Sequence, residues 1–158
     1  MDAFAVIVMG SPSDRPISEE LSTALEIFDI PTEIRIASAH KTPAYLLTML
    51  EAYEEDPRAH VYITIAGRSN ALSGMVDAAV SAPVIACPPY SEKFAGADIY
   101  SSLRTPSGVA PAVVLSPANA ALLAAKMLSL TEPELRTKVK AAQRANYERV
   151  TEADQTGV

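Results

Sequence analysis

Short apolar runs alternate along the chain with longer segments in which apolar residues recur at the helical period. The first run, residues 4–9, is apolar throughout and ends at Gly10, which is typical of a parallel strand covered on both faces. From Ile17 a helix is predicted that ends before Pro31, because one face of it would carry regularly spaced apolar residues. These residues are Leu21, Ala24, Leu25 and Phe28.

The same order of strand and helix then repeats along the chain. Four further strands are predicted, over residues 33–37, 61–66, 84–87 and 112–115. Helices are predicted between them, and Pro43 and Pro117 suit the first helical turn of two of these. The buried stripe of the helix that begins at Pro43 is expected to consist of Leu46, Leu47, Leu50 and Tyr53. Strands separated by helices predict a single doubly wound parallel sheet in a three-layer α/β domain.

The last segment differs from the rest, so we divide the chain into an α/β domain, 1–130, and a C-terminal helix, 131–158. Thr131 and Glu134 have the spacing of a capping box. The helix after them has only a thin apolar stripe, which consists of Leu135, Val139, Ala142 and Val150. Two interpretations stay open: a solvated terminal helix, or an arm that packs on a neighbouring subunit.

Composition limits the class of protein and of partner. A chain of 158 residues, 49% hydrophobic and 20% charged, fits one globular domain with a full core. Its 13 Lys and Arg residues against 19 Asp and Glu residues give a net charge of −6, which argues against nucleic acid as a partner. Residues 131–158 carry five charges of each sign, so the excess of acidic residues lies in 1–130. Any site for an anion must therefore be formed by a few cationic residues brought together within this acidic domain.

Cysteine usage and the N-terminus concern the compartment. A single cysteine, Cys87, excludes an internal disulfide and a multi-cysteine metal site, and we expect it to pack as a small apolar residue. The sequence has no apolar run of about 18 residues, and its N-terminus lacks the basic region of a signal peptide. We predict a cytoplasmic protein with no membrane partner.

Ligands of open parallel sheets bind beyond the carboxyl ends of the strands, so the loops after strands are the first candidates. After the first strand, Ser11, Ser13 and backbone N–H groups could hold a phosphate at a helix N-terminus. The alternative is an ordinary helix cap by Ser13 or Asp14. Because the Asp14 carboxylate would repel a phosphate, we expect it to bind sugar hydroxyls instead.

The loop after the second strand contains His40, one of two histidines in the chain. Its imidazole could act as a general acid or base, while Ser38 and Lys41 could hold an anion. The alternative is an inert loop histidine. The other histidine, His60, is expected to be a surface residue.

Two further loops carry polar residues. The loop after the third strand, 66–70, could bind an anion, and the alternative is a left-handed turn at Gly67 with a solvated Arg68. The connection after the fourth strand contains Arg104 among proline-rich segments that would ordinarily form stiff loops. Lys41, Arg68 and Arg104 are therefore the cations expected near the crevice.

Several motifs, taken in this order and spacing, are far more specific than any one of them. They are Met9-Gly10-Ser11-Pro12-Ser13-Asp14, Ser38-Ala39-His40-Lys41-Thr42-Pro43, Ala66-Gly67, Gly74-Met75 and the alanine-rich segment 119–125. Over roughly residues 4–130 the chain resembles the phosphoribosylaminoimidazole carboxylase family of purine biosynthesis. The resemblance implies a flavodoxin-like fold, a homo-oligomer, specifically an octamer, and chemistry without metal or cofactor.

The family has two branches that form the same product, 4-carboxy-5-aminoimidazole ribonucleotide (CAIR). Mutases move the carboxyl group of N5-carboxyaminoimidazole ribonucleotide, whereas class II carboxylases add CO2 to 5-aminoimidazole ribonucleotide (AIR). Mutases typically have Gly-Gly-Ala-Ala-His where this chain has Gly67-Arg68-Ser69-Asn70-Ala71, and Arg where it has Lys41. The segment 101–108 also resembles the carboxylase branch, so we favour the CO2-dependent carboxylase.

Site roles follow from the resemblance. The ring carbon of the substrate would attack CO2, and His40 would then remove the ring proton. Ser11, Ser13, Ser38 and Lys41 would surround the phosphate and Asp14 the ribose. Ser69, Asn70 and the Gly67 backbone would line the pocket for CO2 and the imidazole, with Arg68 a further candidate. The complete set of implied substrate-binding residues is Gly10, Ser11, Ser13, Asp14, Ser38, Ala39, Lys41, Ala66, Gly67, Arg68, Ser69 and Asn70.

Three other functions are alternatives to this one. The mutase shares most of the pocket, and a noncatalytic ribonucleotide-binding regulatory domain could use the same phosphate loop. A mere phosphate binder would not require His40 or the Arg68-Ser69-Asn70 loop. A redox flavodoxin is disfavoured, because the chain has no Trp and its loops have few aromatic residues.

Overall fold

The computed structural model describes residues 2–157 and contains one parallel sheet with the strand order β2-β1-β3-β4-β5. The strands are β1 Phe4–Met9, β2 Thr32–Ile36, β3 His60–Ile65, β4 Val84–Ala86 and β5 Ala112–Val113. This is the flavodoxin-like order, so the predicted fold class is confirmed. The bounds of β1 are the predicted ones, and those of the other four strands differ from the predicted ones by one or two residues at one end or both.

Helices cover both faces of the sheet. They are α1 Arg15–Glu26, α2 Pro43–Glu54, α3 Ala71–Ala79, α4 Tyr100–Leu103, α5 Pro117–Leu128 and α6 Pro133–Thr156. One core cluster contains side chains of α1, α5 and the start of α6, and the other contains those of α2 and α3. No helix within residues 2–157 is long and apolar enough to cross a membrane.

Strand β1 lies inside the sheet between β2 and β3, and every one of its side chains is buried. Ile7 and Met9 belong to the cluster under α1 and α5, whereas Val6 and Val8 belong to the cluster under α2 and α3. Successive side chains of a strand point to opposite faces, so a strand covered on both faces needs apolar residues at every position. This requirement explains the uninterrupted apolar run.

One position of the predicted α2 stripe is wrong. Leu46, Leu50 and Tyr53 are buried as expected, but Leu47 is 39% exposed and Met49 is buried in its place. Positions 46, 49, 50 and 53 follow the i, i+3, i+4, i+7 spacing of a single helical face. Leu47 lies one residue beyond Leu46 and is turned by about 100° from that face.

The prediction that His60 is a surface residue is also wrong, because its side chain is only 6% exposed. His60 pairs with Phe4 of β1 across the parallel ladder, and its ring centroid is 5.1 Å from that of Phe4. Its Nδ1 is 2.9 Å from the carbonyl oxygen of Arg58, and its Nε2 is 3.5 Å from a carboxylate oxygen of Glu54. The first position of a central strand buries this ring despite its polar neighbours in the sequence.

Helix α6 begins without the predicted capping box. Glu132 is its N-cap and makes no side-chain cap bond, whereas the Thr131 hydroxyl donates to the carbonyl of Leu128. Leu135 and Val139 are buried in the α1–α5 core cluster. The first half of α6 therefore packs on the α/β body. The packing of α6 on a neighbouring subunit stays a prediction.

Leu135→Ala is expected to lower the free energy of unfolding by about 3 kcal/mol, because it removes a fully buried side chain and leaves a cavity. Val150→Ala on the same helix is the matched control, since Val150 is 60% exposed. Urea unfolding of both variants measures the difference. Equal losses would contradict the assignment of Leu135 to the core, and a loss in Val150→Ala that grew on dilution would place Val150 in a subunit contact.

Candidate functional site

The loops after β1, β2, β3 and β4 line one cleft of about 720 Å³ at the carboxyl edge of the sheet. The predicted site residues in its lining are Gly10, Ser11, Ser13, Asp14, Ser38, Ala39, His40, Lys41, Ala66, Gly67, Arg68 and Ser69. The structure therefore brings together residues that are up to 59 positions apart in the sequence. Its other lining residues are Leu72, Pro89, Tyr90, Ser91 and Lys93.

The loop after β1 is organised by the hydroxyl of Ser11. Its Oγ accepts hydrogen bonds from the Ser13 backbone N–H at 3.3 Å and from the Ser13 hydroxyl at 2.9 Å. Ser11 thus caps a 3-10 turn, Pro12–Asp14, that runs directly into α1. Neither Ser13 nor Asp14 acts as the side-chain cap of α1, so that alternative is not what the structure contains.

Asp14 places a carboxyl group in the cleft, and this carboxyl group makes no helix-cap hydrogen bond. Partial burial raises the pKa of this carboxyl above its usual range, and a hydrogen bond with the backbone of Ser11 acts in the opposite direction. An acceptor of this kind suits hydroxyl groups of a ligand better than a phosphate.

The loop after β2 closes on itself through Ser38 and Thr42. The Ser38 N–H donates to Thr42 Oγ1 at 2.9 Å, and the Thr42 N–H donates to the Ser38 carbonyl at 2.9 Å. The Lys41 N–H donates to Ser38 Oγ at 3.2 Å. This turn leaves the side chains of His40 and Lys41 exposed in the cleft at the N-terminus of α2. The hydrogen bonds found among residues 2–157 include none to the His40 imidazole, so both ring nitrogens are accessible to a ligand.

The loop after β3 contains a strained residue. Arg68 has a φ of 62°, so the left-handed position is Arg68 and not Gly67 as the alternative interpretation had it. A residue other than glycine in this region costs about 1–3 kcal/mol. Gly67 is required for a different reason: a Cβ atom there would lie 2.9 Å from Cγ of Pro89.

Asn70 is the one predicted site residue that does not line the cleft. Its Oδ1 accepts from the Ser73 N–H at 3.1 Å, which caps α3, and its Nδ2 donates to Ser102 Oγ at 3.0 Å. The side chain is buried, and both ends of its carboxamide are engaged inside the protein. In this structure Asn70 therefore supports the loop and does not face the cleft.

Although the protein as a whole is acidic, cationic side chains outnumber acidic ones in the lining of the cleft. Lys41, Arg68 and Lys93 line it together with a single carboxylate, Asp14. The partial positive charges of the helix N-termini at its rim add to theirs. Arg104, which was expected here, is not in the lining, and its guanidinium lies 5.8 Å from the ring of Tyr100.

Sequence reasoning missed Lys93 and Tyr90. Both belong to the connection between β4 and β5, which forms two 3-10 turns and the short helix α4, and both lie outside its motif at 101–108. They could have been expected only from the position of this connection, which begins at the carboxyl end of β4, at the same edge of the sheet as the other cleft loops.

Cys87 takes no part in the chemistry of the cleft. It is 1% exposed, and burial raises the pKa of its thiol to about 11, so the thiol stays protonated near neutral pH. Its predicted role as a small apolar residue is confirmed. In the described part of the chain, no three His, Cys, Asp or Glu side chains are grouped so that they could hold a metal ion.

Fold and cleft together define a flavodoxin-like α/β protein with a cleft at the carboxyl ends of its strands that is lined by three cationic side chains. Residues 5–149 match the family described as AIR carboxylase. The phosphoribosylaminoimidazole carboxylase of Treponema denticola is 52% identical over 98% of this chain and 97% of that protein. The one from Archaeoglobus fulgidus is 51% identical over 96% and 83%. A crystal structure of Treponema denticola PurE superposes with a TM-score of 0.96 at 51% identity, covering 98% of each chain.

The chain belongs to the AIR carboxylase family. The resemblance seen in its motifs is thereby confirmed.

Gly67→Ala is expected to lower the free energy of unfolding by about 1–3 kcal/mol, because the new methyl group would overlap Pro89. Gly74→Ala is the matched control: its Cβ would meet Val109 at an ordinary 3.7 Å, and alanine favours the interior of α3 by about 0.5–1 kcal/mol. Urea unfolding of both variants is the measurement. A Gly67→Ala protein as stable as the Gly74→Ala protein would show that Pro89 moves aside freely.

Proposed function

We propose that the protein catalyses the reversible carboxylation of AIR by CO2 to give CAIR in purine biosynthesis. The observation that carries this proposal is the exposed His40 imidazole, held in one cleft with two serine-containing loops and the Gly67–Ser69 turn. The names of the relatives from Treponema denticola and Archaeoglobus fulgidus support the same activity.

Ribonucleotide binding is assigned to the loops after β1 and β2. Ser11, Ser13, Ser38 and Lys41 surround the phosphate, at the positive ends of α1 and α2. Asp14 accepts hydrogen bonds from the ribose hydroxyls. This arrangement directs the imidazole of the substrate toward the loop after β3, next to His40.

The chemistry then needs one proton transfer. The amino group of AIR makes its ring carbon enamine-like. This carbon forms a bond to the carbon of CO2, while one C=O π pair of CO2 moves onto its oxygen as the negative charge of the new carboxylate. His40 takes the proton from the same ring carbon, and the C–H electron pair restores the aromatic ring. In the reverse direction, protonated His40 returns the proton and CO2 leaves. The Gly67 and Ser69 groups hold CO2 in attack geometry, and Arg68 is a donor for the new carboxylate.

Two features favour the carboxylase over the mutase. The segment Gly67-Arg68-Ser69-Asn70-Ala71 lacks the histidine that mutases typically have there, and Lys41 stands where they usually have Arg. The second histidine of the chain, His60, is buried at the amino end of β3, at the edge of the sheet opposite the cleft. The cleft thus provides one imidazole, which suffices for CO2 addition.

We also propose that the protein assembles as a homo-octamer. Helix α6 carries Tyr147 and Val150 on its outer half, and these side chains are 70% and 60% exposed. Apolar side chains at such a position are available for contacts with a neighbouring copy.

A substrate-choice assay tests the function. AIR and N5-carboxyaminoimidazole ribonucleotide are supplied separately, and CAIR formation is followed. We expect turnover of AIR that rises with CO2 concentration and no use of the N5-carboxy isomer. Turnover of the isomer alone would establish the mutase, and ribonucleotide binding without turnover of either compound would favour the noncatalytic domain.

His40→Asn is expected to abolish turnover, because the carboxamide cannot take the ring proton. Ribonucleotide affinity should change little, since the phosphate-binding groups lie in other side chains. Steady-state kinetics and calorimetric titration of AIR measure the two properties. A variant with wild-type rates would remove His40 from its assigned role, and a loss of binding in step with turnover would make it a binding residue.

A further inference from the structure

We infer that Asp98 is a positioning residue for the reaction proposed above, and that it acts by holding the backbone of Arg68 in its left-handed conformation. The inference rests on the proposed function for its effect on catalysis. Its structural part, that Asp98 restrains the backbone of Arg68, rests on hydrogen bonds within the protein.

The first contact is a hydrogen bond between distant parts of the chain. The backbone N–H of Arg68 donates to Oδ2 of Asp98 at 3.1 Å, across 30 positions of sequence. Asp98 lies in a 3-10 turn, Ala97–Ile99, in the connection after β4. Its carboxylate therefore binds the very peptide group whose φ of 62° is unfavourable for arginine.

The same segment holds the far side of the turn. Ser101 Oγ accepts from the backbone N–H of Asn70 at 2.9 Å and donates to the Asp98 carbonyl at 2.7 Å. Ser102 Oγ accepts from the buried Asn70 side chain at 3.0 Å. Asp98, Ser101 and Ser102 thus bind the Arg68–Asn70 turn at both of its ends. We call these three residues the clamp.

Pro89 packs against Gly67 just before the turn, whereas the turn itself is joined to the connection after β4 by the hydrogen bonds of the clamp. A cavity of about 200 Å³ lies between Gly67 and the connection after β4, and Asp98 and Ser102 line it. Asp98 lines this cavity and not the substrate cleft, so it acts through Arg68.

Loss of the Asp98 carboxylate lets Arg68 relax toward an ordinary backbone conformation. That rotation moves the adjoining peptide groups and Ser69, which line the cleft where CO2 is to be held. Small misplacements of groups that align reactants cost up to about 100-fold in rate. The phosphate-binding loops after β1 and β2 make no part of the clamp, so the ribonucleotide KM should change much less than kcat.

The test is a double-mutant cycle on the full-length protein, with AIR and CO2 as substrates. Asp98→Ala is expected to lower kcat by about 10- to 100-fold and to change the KM for AIR by less than about threefold. Arg68→Gly provides the second background, because glycine adopts the left-handed conformation without strain. In that background Asp98→Ala should change kcat by less than about threefold, whatever the activity of Arg68→Gly itself.

Two further variants separate positioning from stability. Asp98→Asn retains an oxygen that can accept the Arg68 N–H, and its kcat should stay within about threefold of wild type. Asp77→Ala is the matched control: Asp77 Oδ2 accepts from the Ala110 N–H at 2.7 Å, outside the cleft lining, and its loss should leave kcat unchanged.

An equal loss of kcat from Asp98→Ala in both backgrounds would overturn the inference, as would an unchanged kcat in Asp98→Ala alone. Hydrogen exchange of the Arg68 amide, followed by NMR without substrate, separates this inference from the proposed function. Faster exchange in Asp98→Ala than in Asp77→Ala supports the clamp even if the protein turns over the N5-carboxy isomer in place of AIR. Equal exchange rates in the two variants would refute it.

Discussion

The structure depends above all on the parallel register of β1 with its two neighbours, β2 and β3. Met9 of β1 pairs with Ile36 of β2 on one side and with Ile65 of β3 on the other, so all three strands end at the same level. The loops that follow them therefore open onto one edge of the sheet, next to the N-termini of the helices they lead into. A slip of one residue in the pairing of β1 with β3 would turn Ile63 and Ile65 away from the core cluster under α1 and α5. Core packing thus fixes the position of the cleft.

Sequence patterns were sufficient wherever burial follows a regular period. The apolar run of β1 and the stripe of α1 could be predicted because each covers a full strand or helical face. Sequence patterns failed where a tertiary contact decides. His60 is buried because β3 pairs with β1, and Asn70 turns inward because two serines from the connection after β4 bind it. Lys93 reaches the cleft from an irregular segment whose path no periodicity could indicate.

Local strain and local support coincide at the loop after β3. Arg68 takes a conformation that glycine would take at no cost, and the polar groups that hold it there come from a segment far along the chain. Gly67 cannot carry a side chain because Pro89 of that same segment lies against it. The residues of this loop are in contact with the connection after β4, so substitutions in the two segments should have non-additive effects on stability. Motif matching alone treats the two as independent.

The contact between Lys138 and the turn after α1 bears on how the chain folds as it is synthesised. Lys138 Nζ binds the carbonyl of Phe28 and the carboxylate of Asp29, about 110 residues earlier. Every residue that lines the cleft lies between positions 10 and 93, so the cleft loops leave the ribosome before α5 and α6 exist. Until those helices arrive, α1 is the only helix synthesised that covers the sheet face containing Ile7. The apolar side chains of this face are therefore exposed to association with other chains during synthesis, and the packing of α5 and α6 buries them.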